Sequence, residues 1–153
     1  MFVQVIQGKT SKPEQLKAAG EQWQRDLAAG ASGWLGATMG VGDDGTYVAV
    51  VRFEGVEAAE ANSNRPEQSA WWAETEKLFD GPVTFENCTD VVTFGKGGSD
   101  EAGFVQVMQG RVKDVEAMKA LSAEMDESWG EFRPEVIGGI TAVHADGHMF
   151  TSA

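Results

Sequence analysis

Residues 2 to 8 alternate, with Phe2, Gln4 and Ile6 on one side and Val3, Val5 and Gln7 on the other, a period of two that predicts a β-strand. Ser11 stands three residues before Glu14 with Pro13 in the first turn, the arrangement of a capping box that opens a helix. Leu16, Ala19, Trp23 and Leu27 recur at helical spacing and predict the core face of that helix. Gly30 and Gly33 close it. Trp34 to Val41 and Thr46 to Phe53 read as two strands joined by a hairpin at Asp43-Asp44-Gly45, because glycine tolerates the positive φ of a tight turn. A helical pattern from Val56 to Phe79 breaks near Asn62-Ser63-Asn64-Arg65-Pro66, where the proline biases its predecessor away from helix. Val83 to Phe94 supplies a last strand, interrupted around Asn87-Cys88-Thr89-Asp90.

The pattern then returns. Phe2-Val3-Gln4-Val5-Ile6-Gln7-Gly8 reappears as Phe104-Val105-Gln106-Val107-Met108-Gln109-Gly110, and the offset holds without a gap to the C-terminus, with about 13 identities over roughly 50 aligned positions. Met118, Leu121, Met125 and Trp129 take the places of the first helix's apolar face, which marks that face as core and puts the Trp23, Leu27 and Trp129 stripe in it. The order β-α-β-β-α-β is the split βαβ unit of ferredoxin-like α+β folds. The expected organisation is a first unit over 1–94, a Gly-rich linker over 95–103 and a second unit over 104–153. The second unit ends where the first is inside its third strand. A half-sheet left open is an aggregation hazard, so the expectation is a shortened form of a longer two-repeat protein, a covering partner chain being the alternative.

Composition narrows the function classes. The hydrophobic fraction of 42% suits an ordinary folded domain, and no stretch reaches the roughly 20 apolar residues of a membrane span. With 24 acidic against 12 basic residues, the net charge of −12 disfavours nucleic acid and anionic lipid as partners. No leader pattern opens the chain, so a cytoplasmic location is the expectation. Cys88, the one cysteine, has no Cys or His at metal-ligand spacing and reads as a small buried side chain.

Few residues carry candidate chemistry. Gln4 and Gln106 place an amide among apolar side chains, either to orient a substrate oxygen or to bond across the sheet. Asn62, Asn64 and Arg65 precede Trp71 and Trp72, which puts donors and flat aromatic surface beside a helix break. That set reads either as a pocket mouth or as Trp72 in the core with Trp71 and Arg65 over its edge. His144 and His148 flank Ala145-Asp146-Gly147 and face one another across a hairpin, but two histidines lack a fixed third ligand, and no metal site is expected. The Gly-rich linker lacks the Lys-Ser/Thr ending of a phosphate cradle.

The capped helix, the Asp-Gly hairpin and the Asn-rich break before Trp71-Trp72 together resemble the antibiotic-biosynthesis-monooxygenase family of dimeric α/β barrels. The resemblance covers the first copy and the surviving half of the second. It implies ferredoxin-like units paired through their sheets, usually as homodimers, which a tandem duplication would build within one chain. It also implies cofactor-independent oxygenation of quinol- or polyphenol-like compounds, or ligand binding without catalysis, with a homo-oligomer a further expectation. By that resemblance Asn64, Arg65 and Trp72 are catalytic candidates, and Gln4, Asn62, Trp71 and Gln106 contact a small aromatic ligand. No cofactor is expected. Gln4 stands where haem-degrading members carry Asn, and the first copy has no His to hold haem iron, with Thr75 or Glu76 near that place.

Overall fold

In the computed structural model, which describes residues 1–99, 102–126 and 133–153, strand β1 (Phe2–Lys9) pairs along its whole length with an antiparallel partner, β3 (Thr46–Phe53). Strand β2 (Trp34–Val41) lies on the far side of β3, with Leu35 bulged out between Trp34 and Gly36. Alternation along β1 sorts its side chains as the sequence predicts. Val3 and Val5 are fully buried on one face, and Phe2 packs on the other against Phe53 and Ala59.

The chain forms two compact units, Met1–Asn87 and Cys88–Ala153, and strand β4 (Thr84–Gly95) runs across the boundary. In the first unit, three helices accompany β1, β2 and β3: α1 (Pro13–Asp26), α2 (Val56–Ser63) and α3 (Pro66–Thr75). The break predicted at Asn62–Pro66 separates α2 from α3. Pro66 opens α3, where its missing N–H costs nothing.

The capping box does not form. Lys12 takes the N-cap position of α1 without a side-chain bond, and Ser11 Oγ instead donates to Asp80 Oδ1 at 3.0 Å. Thr10 serves the turn in its place, its Oγ1 accepting the Lys12 N–H at 2.9 Å and donating to the Leu78 carbonyl at 2.8 Å. The α1 face is also shallower than a core stripe. Leu16 is its one buried residue, while Trp23 and Leu27 are half-buried.

In the second unit, β4 pairs with β6 (Gly138–His144), β6 with β7 (His148–Ser152), and β7 with β5 (Val107–Arg111), all antiparallel. The irregularity expected near Asn87–Asp90 is a register shift between Cys88 and Asp90 rather than a gap in β4. Helix α4 (Val115–Asp126) has the side-chain cap that α1 lacks, Asp114 Oδ1 accepting the Ala117 N–H at 2.9 Å. Two expectations from the repeat fail here. Phe104 is 79% exposed although its counterpart Phe2 is 5% exposed, and Leu121 on the predicted core face of α4 is 56% exposed. Trp129 and the Met125 side chain lie outside the described residues. Cys88 is fully buried, as the sequence suggests. Among the described residues no helix is long and apolar enough to cross a membrane.

Candidate functional site

Period-two alternation gives the first unit's sheet a face carrying Gln4 and Ile6 from β1 and Tyr47, Ala49, Val51 and Phe53 from β3. Register brings Ile6 and Met39 to either side of Ala49. Small side chains at the centre of this face leave space. The helices close over it without filling it, making a cavity of about 110 Å³, well above what one water needs.

The walls are aromatic. Trp23 of α1 meets Trp34 edge-on at 5.0 Å and Trp71 at 6.5 Å, and Trp71 lies 6.1 Å from Trp72. Trp72 in turn meets Phe85 edge-on at 5.2 Å. All four tryptophans line the cavity. Trp71 is fixed by its indole N–H, which donates to the Ala19 carbonyl at 3.1 Å. Trp34 Nε1 is buried with no hydrogen-bond partner among the described residues.

Asn62, Gln68, Gln4 and Tyr47 bring polar atoms to the lining. Asn62 of α2, 7% exposed, accepts from Arg65 Nη1 at 2.9 Å, and Gln68 of α3 accepts from Trp23 Nε1 at 2.6 Å. Gln4 Nε2 donates to Asn87 Oδ1 at 2.9 Å. Tyr47, the only tyrosine of the chain, reaches Met39 Sδ at 4.0 Å, and burial pushes its phenol up to about 12. It is therefore a neutral O–H at physiological pH. No Asp, Glu, Lys, Arg or His stands among the described residues that line the cavity.

Of the residues singled out from the sequence, Gln4, Asn62, Trp71 and Trp72 line this cavity together. Asn64 and Arg65 are not in its lining. Asn64 is exposed at the C-terminus of α2. The Arg65 guanidinium holds the Leu27 carbonyl at 3.1 Å and pairs with Glu67 at 3.0 Å, and a Cβ on Gly30 would strike it. Gln106 is exposed in the second unit, where its backbone exchanges two hydrogen bonds with Ala153.

Trp23, read from periodicity as core, is a cavity wall. Tyr47, Trp34 and Gln68 were missed. The signal for Tyr47 was its place two residues before Ala49 on the alternating face. Nothing local in the sequence marks Gln68.

The histidine hairpin is held by its aspartate. Asp146 Oδ1 pairs with His144 Nδ1 at 2.9 Å and accepts the His148 N–H at 2.9 Å, and these bonds hold its carboxyl down at about 2. The His148 ring packs on Phe150 at 4.4 Å. Among the described residues no group of three or more His, Cys, Asp or Glu gathers to hold a metal.

No protein-family model matches the chain, and no curated protein matches it. Solved structures do. A candidate monooxygenase from Lactobacillus acidophilus NCFM superposes with a TM-score of 0.72 at 15% identity, over 99% of this chain and 75% of that one. A candidate monooxygenase from Fusobacterium nucleatum gives 0.72 at 17% identity, over 99% and 74%. A conserved protein from Methanosarcina mazei Go1 gives 0.50 at 4% identity, over 57% and 90%. The chain has the ferredoxin-like α+β fold that its order of strands and helices predicts, and it shares that fold with these solved structures.

Proposed function

We propose that the first unit binds a small, flat, partly aromatic molecule between its sheet and helices, and oxygenates it without a cofactor. The observation that supports this most is the cavity walled by four tryptophans, with amide groups at its edge. Aromatic faces stack on a flat ring and exclude water, and a few polar atoms fix its orientation.

A quinol- or polyphenol-like substrate supplies its own electrons. An activated ring methylene loses a proton, the carbanion passes an electron to O2, and the two radicals join as a peroxide anion, which takes a proton back from solvent to become a hydroperoxide. Loss of water leaves a carbonyl, so that CH2 and O2 become C=O and H2O with no external reductant. With Tyr47 held protonated and no other ionisable side chain in the described lining, the released proton goes to solvent. The protein's share is orientation and stabilisation of the ring oxygen by neutral donors.

The same lack of a base favours a second reading, ligand binding without catalysis. One experiment separates them: tryptophan fluorescence and oxygen consumption measured together over a panel of quinols and polyphenols, with Trp72→Phe alongside. Quenching with oxygen uptake, both weakened in the variant, supports oxygenation. Quenching alone moves the assignment to a binding module, and no quenching by any compound removes the cavity from consideration.

A further inference from the structure

Two of the cavity's amides face partners that can only donate. Arginine carries five N–H donors and no acceptor, so the Asn62 atom 2.9 Å from Arg65 Nη1 has to be the oxygen Oδ1. The tryptophan indole N–H likewise only donates, so the Gln68 atom 2.6 Å from Trp23 Nε1 has to be Oε1. Amide oxygen and nitrogen are otherwise exchangeable by a flip of the side chain. Here a flip would set donor against donor in a half-buried place, losing a hydrogen bond and leaving two polar groups unpaired.

Both amides are therefore turned the same way. Their oxygens are engaged by Arg65 and Trp23, and Asn62 Nδ2 and Gln68 Nε2 have no acceptor among the described residues, although both residues line the cavity. The Tyr47 hydroxyl adds a third donor, whose acceptor is a sulfur at the limit of hydrogen-bond distance. Gln4 differs, because its partner Asn87 is itself an amide and exchanging oxygen for nitrogen at both ends preserves the bond. It can present either polarity.

We propose that Arg65 and Trp23 are positioning residues that hold the Asn62 and Gln68 amides with their NH2 groups toward the cavity. The cavity then selects uncharged aromatic ligands that carry an acceptor oxygen over ligands of equal size that carry a donor. The proposal rests on the cavity being the ligand site. It gives Arg65 a role at a distance, because its guanidinium never reaches the ligand and acts by deciding which end of Asn62 does. Charge works in the same direction, since an uncharged lining offers no counter-ion to a carboxylate or ammonium group.

The test uses two neutral fused bicycles of matched size, 1-indanone, which has only a carbonyl acceptor, and indole, which has only an N–H donor. Each is titrated by calorimetry into the full chain and into Trp23→Phe and Arg65→Met. The wild type is expected to bind indanone at least about tenfold more tightly, which corresponds to about 1.4 kcal/mol. Trp23→Phe frees Gln68 to turn over and Arg65→Met frees Asn62, so each draws the ratio toward one. A merely structural role would weaken both probes in parallel and leave the ratio unchanged.

A wild-type ratio of one, or ratios unchanged in both folded variants, overturns the positioning role and leaves the cavity standing as a binding site. Failure of both probes to bind overturns the ligand site and the proposal with it. Should either variant not fold, the wild-type ratio still decides. Gln68→Leu gives a second check, expected to weaken indanone and spare indole.

Discussion

Gly45 and Gly147, one in each repeat, are locked by the same contact: a Cβ added to either would lie 2.6 Å from a backbone carbonyl oxygen, that of Thr10 for the first and Val112 for the second. Both have positive φ, +78° and +85°. Each glycine's own carbonyl accepts an N–H from that same neighbour, at 2.9 Å from Thr10 and 2.8 Å from Val112. The repeat thus extends from residue identity to hydrogen bonding. Lys9 pairs with Asp44 in the first hairpin as Arg111 pairs with Asp146 in the second.

Alanine at either glycine combines backbone strain with a clash against main chain that cannot move aside. Gly45→Ala and Gly147→Ala are each expected to cost about 1–3 kcal/mol, read as a fall in the urea midpoint. Gly40→Ala, with open space around its added methyl, leaves the midpoint within about 0.5 kcal/mol.

Tyr47 can be titrated alone, as the chain has no other tyrosine. Phenolate absorbance is expected to appear near pH 12 in the folded protein and near 10 after denaturation. Because the folded value is the higher, the phenol's contribution to stability is whole below pH 10 and is lost as pH rises toward 12. Tyr47→Phe removes that dependence; a folded-state midpoint at 10 would show the phenol to be solvated.

Asp146 has the opposite sign. Its carboxyl lies below the ordinary 3.8, at about 2, through its bonds to His144 and the His148 N–H, so its contribution is present above pH 3.8 and lost as pH falls through 2. Acid titration followed by NMR should find this shift in the wild type, and Asp146→Asn should shift the His144 resonances at neutral pH.

Asn62 and Asn64 make a sharper contrast than their spacing suggests. Asn62→Ala removes a buried amide and leaves Arg65 Nη1 one acceptor short, costing about 1–3 kcal/mol and weakening ligand binding. Asn64→Ala, on an exposed residue at a helix end, should change thermal stability by less than about 0.5 kcal/mol and binding not at all. Equal effects of the two in calorimetry would contradict the placement of the cavity.

What could be read from the sequence was what depends on neighbours in the chain. Alternation in β1 separated Val3 and Val5 from the face bearing Gln4 and Ile6, Asp-Gly marked both hairpins, and Pro66 marked the division of α2 from α3. What escaped depends on distant partners. Gln68 meets Trp23 from another helix, and Arg65, a candidate in the sequence, reaches back to Leu27 and stays out of the cavity lining. Periodicity reports which face a residue occupies, but it does not report whether the space beneath is filled, and so Trp23 reads as core when it is a wall. The capping box failed for the same reason, since Ser11 was drawn to Asp80.

If the cavity is the ligand site proposed above, its uncharged described lining also bears on how ligands would arrive. In a chain of net charge −12, an anion approaching the mouth is held off at low salt, when the Debye length is about 30 Å at 0.01 M, and reaches it faster as that length shrinks to about 8 Å at 0.15 M. A neutral aromatic molecule feels neither regime. Its association rate should stay flat across ionic strength, so the protein would take up such a molecule at one pace in dilute buffer and in concentrated salt.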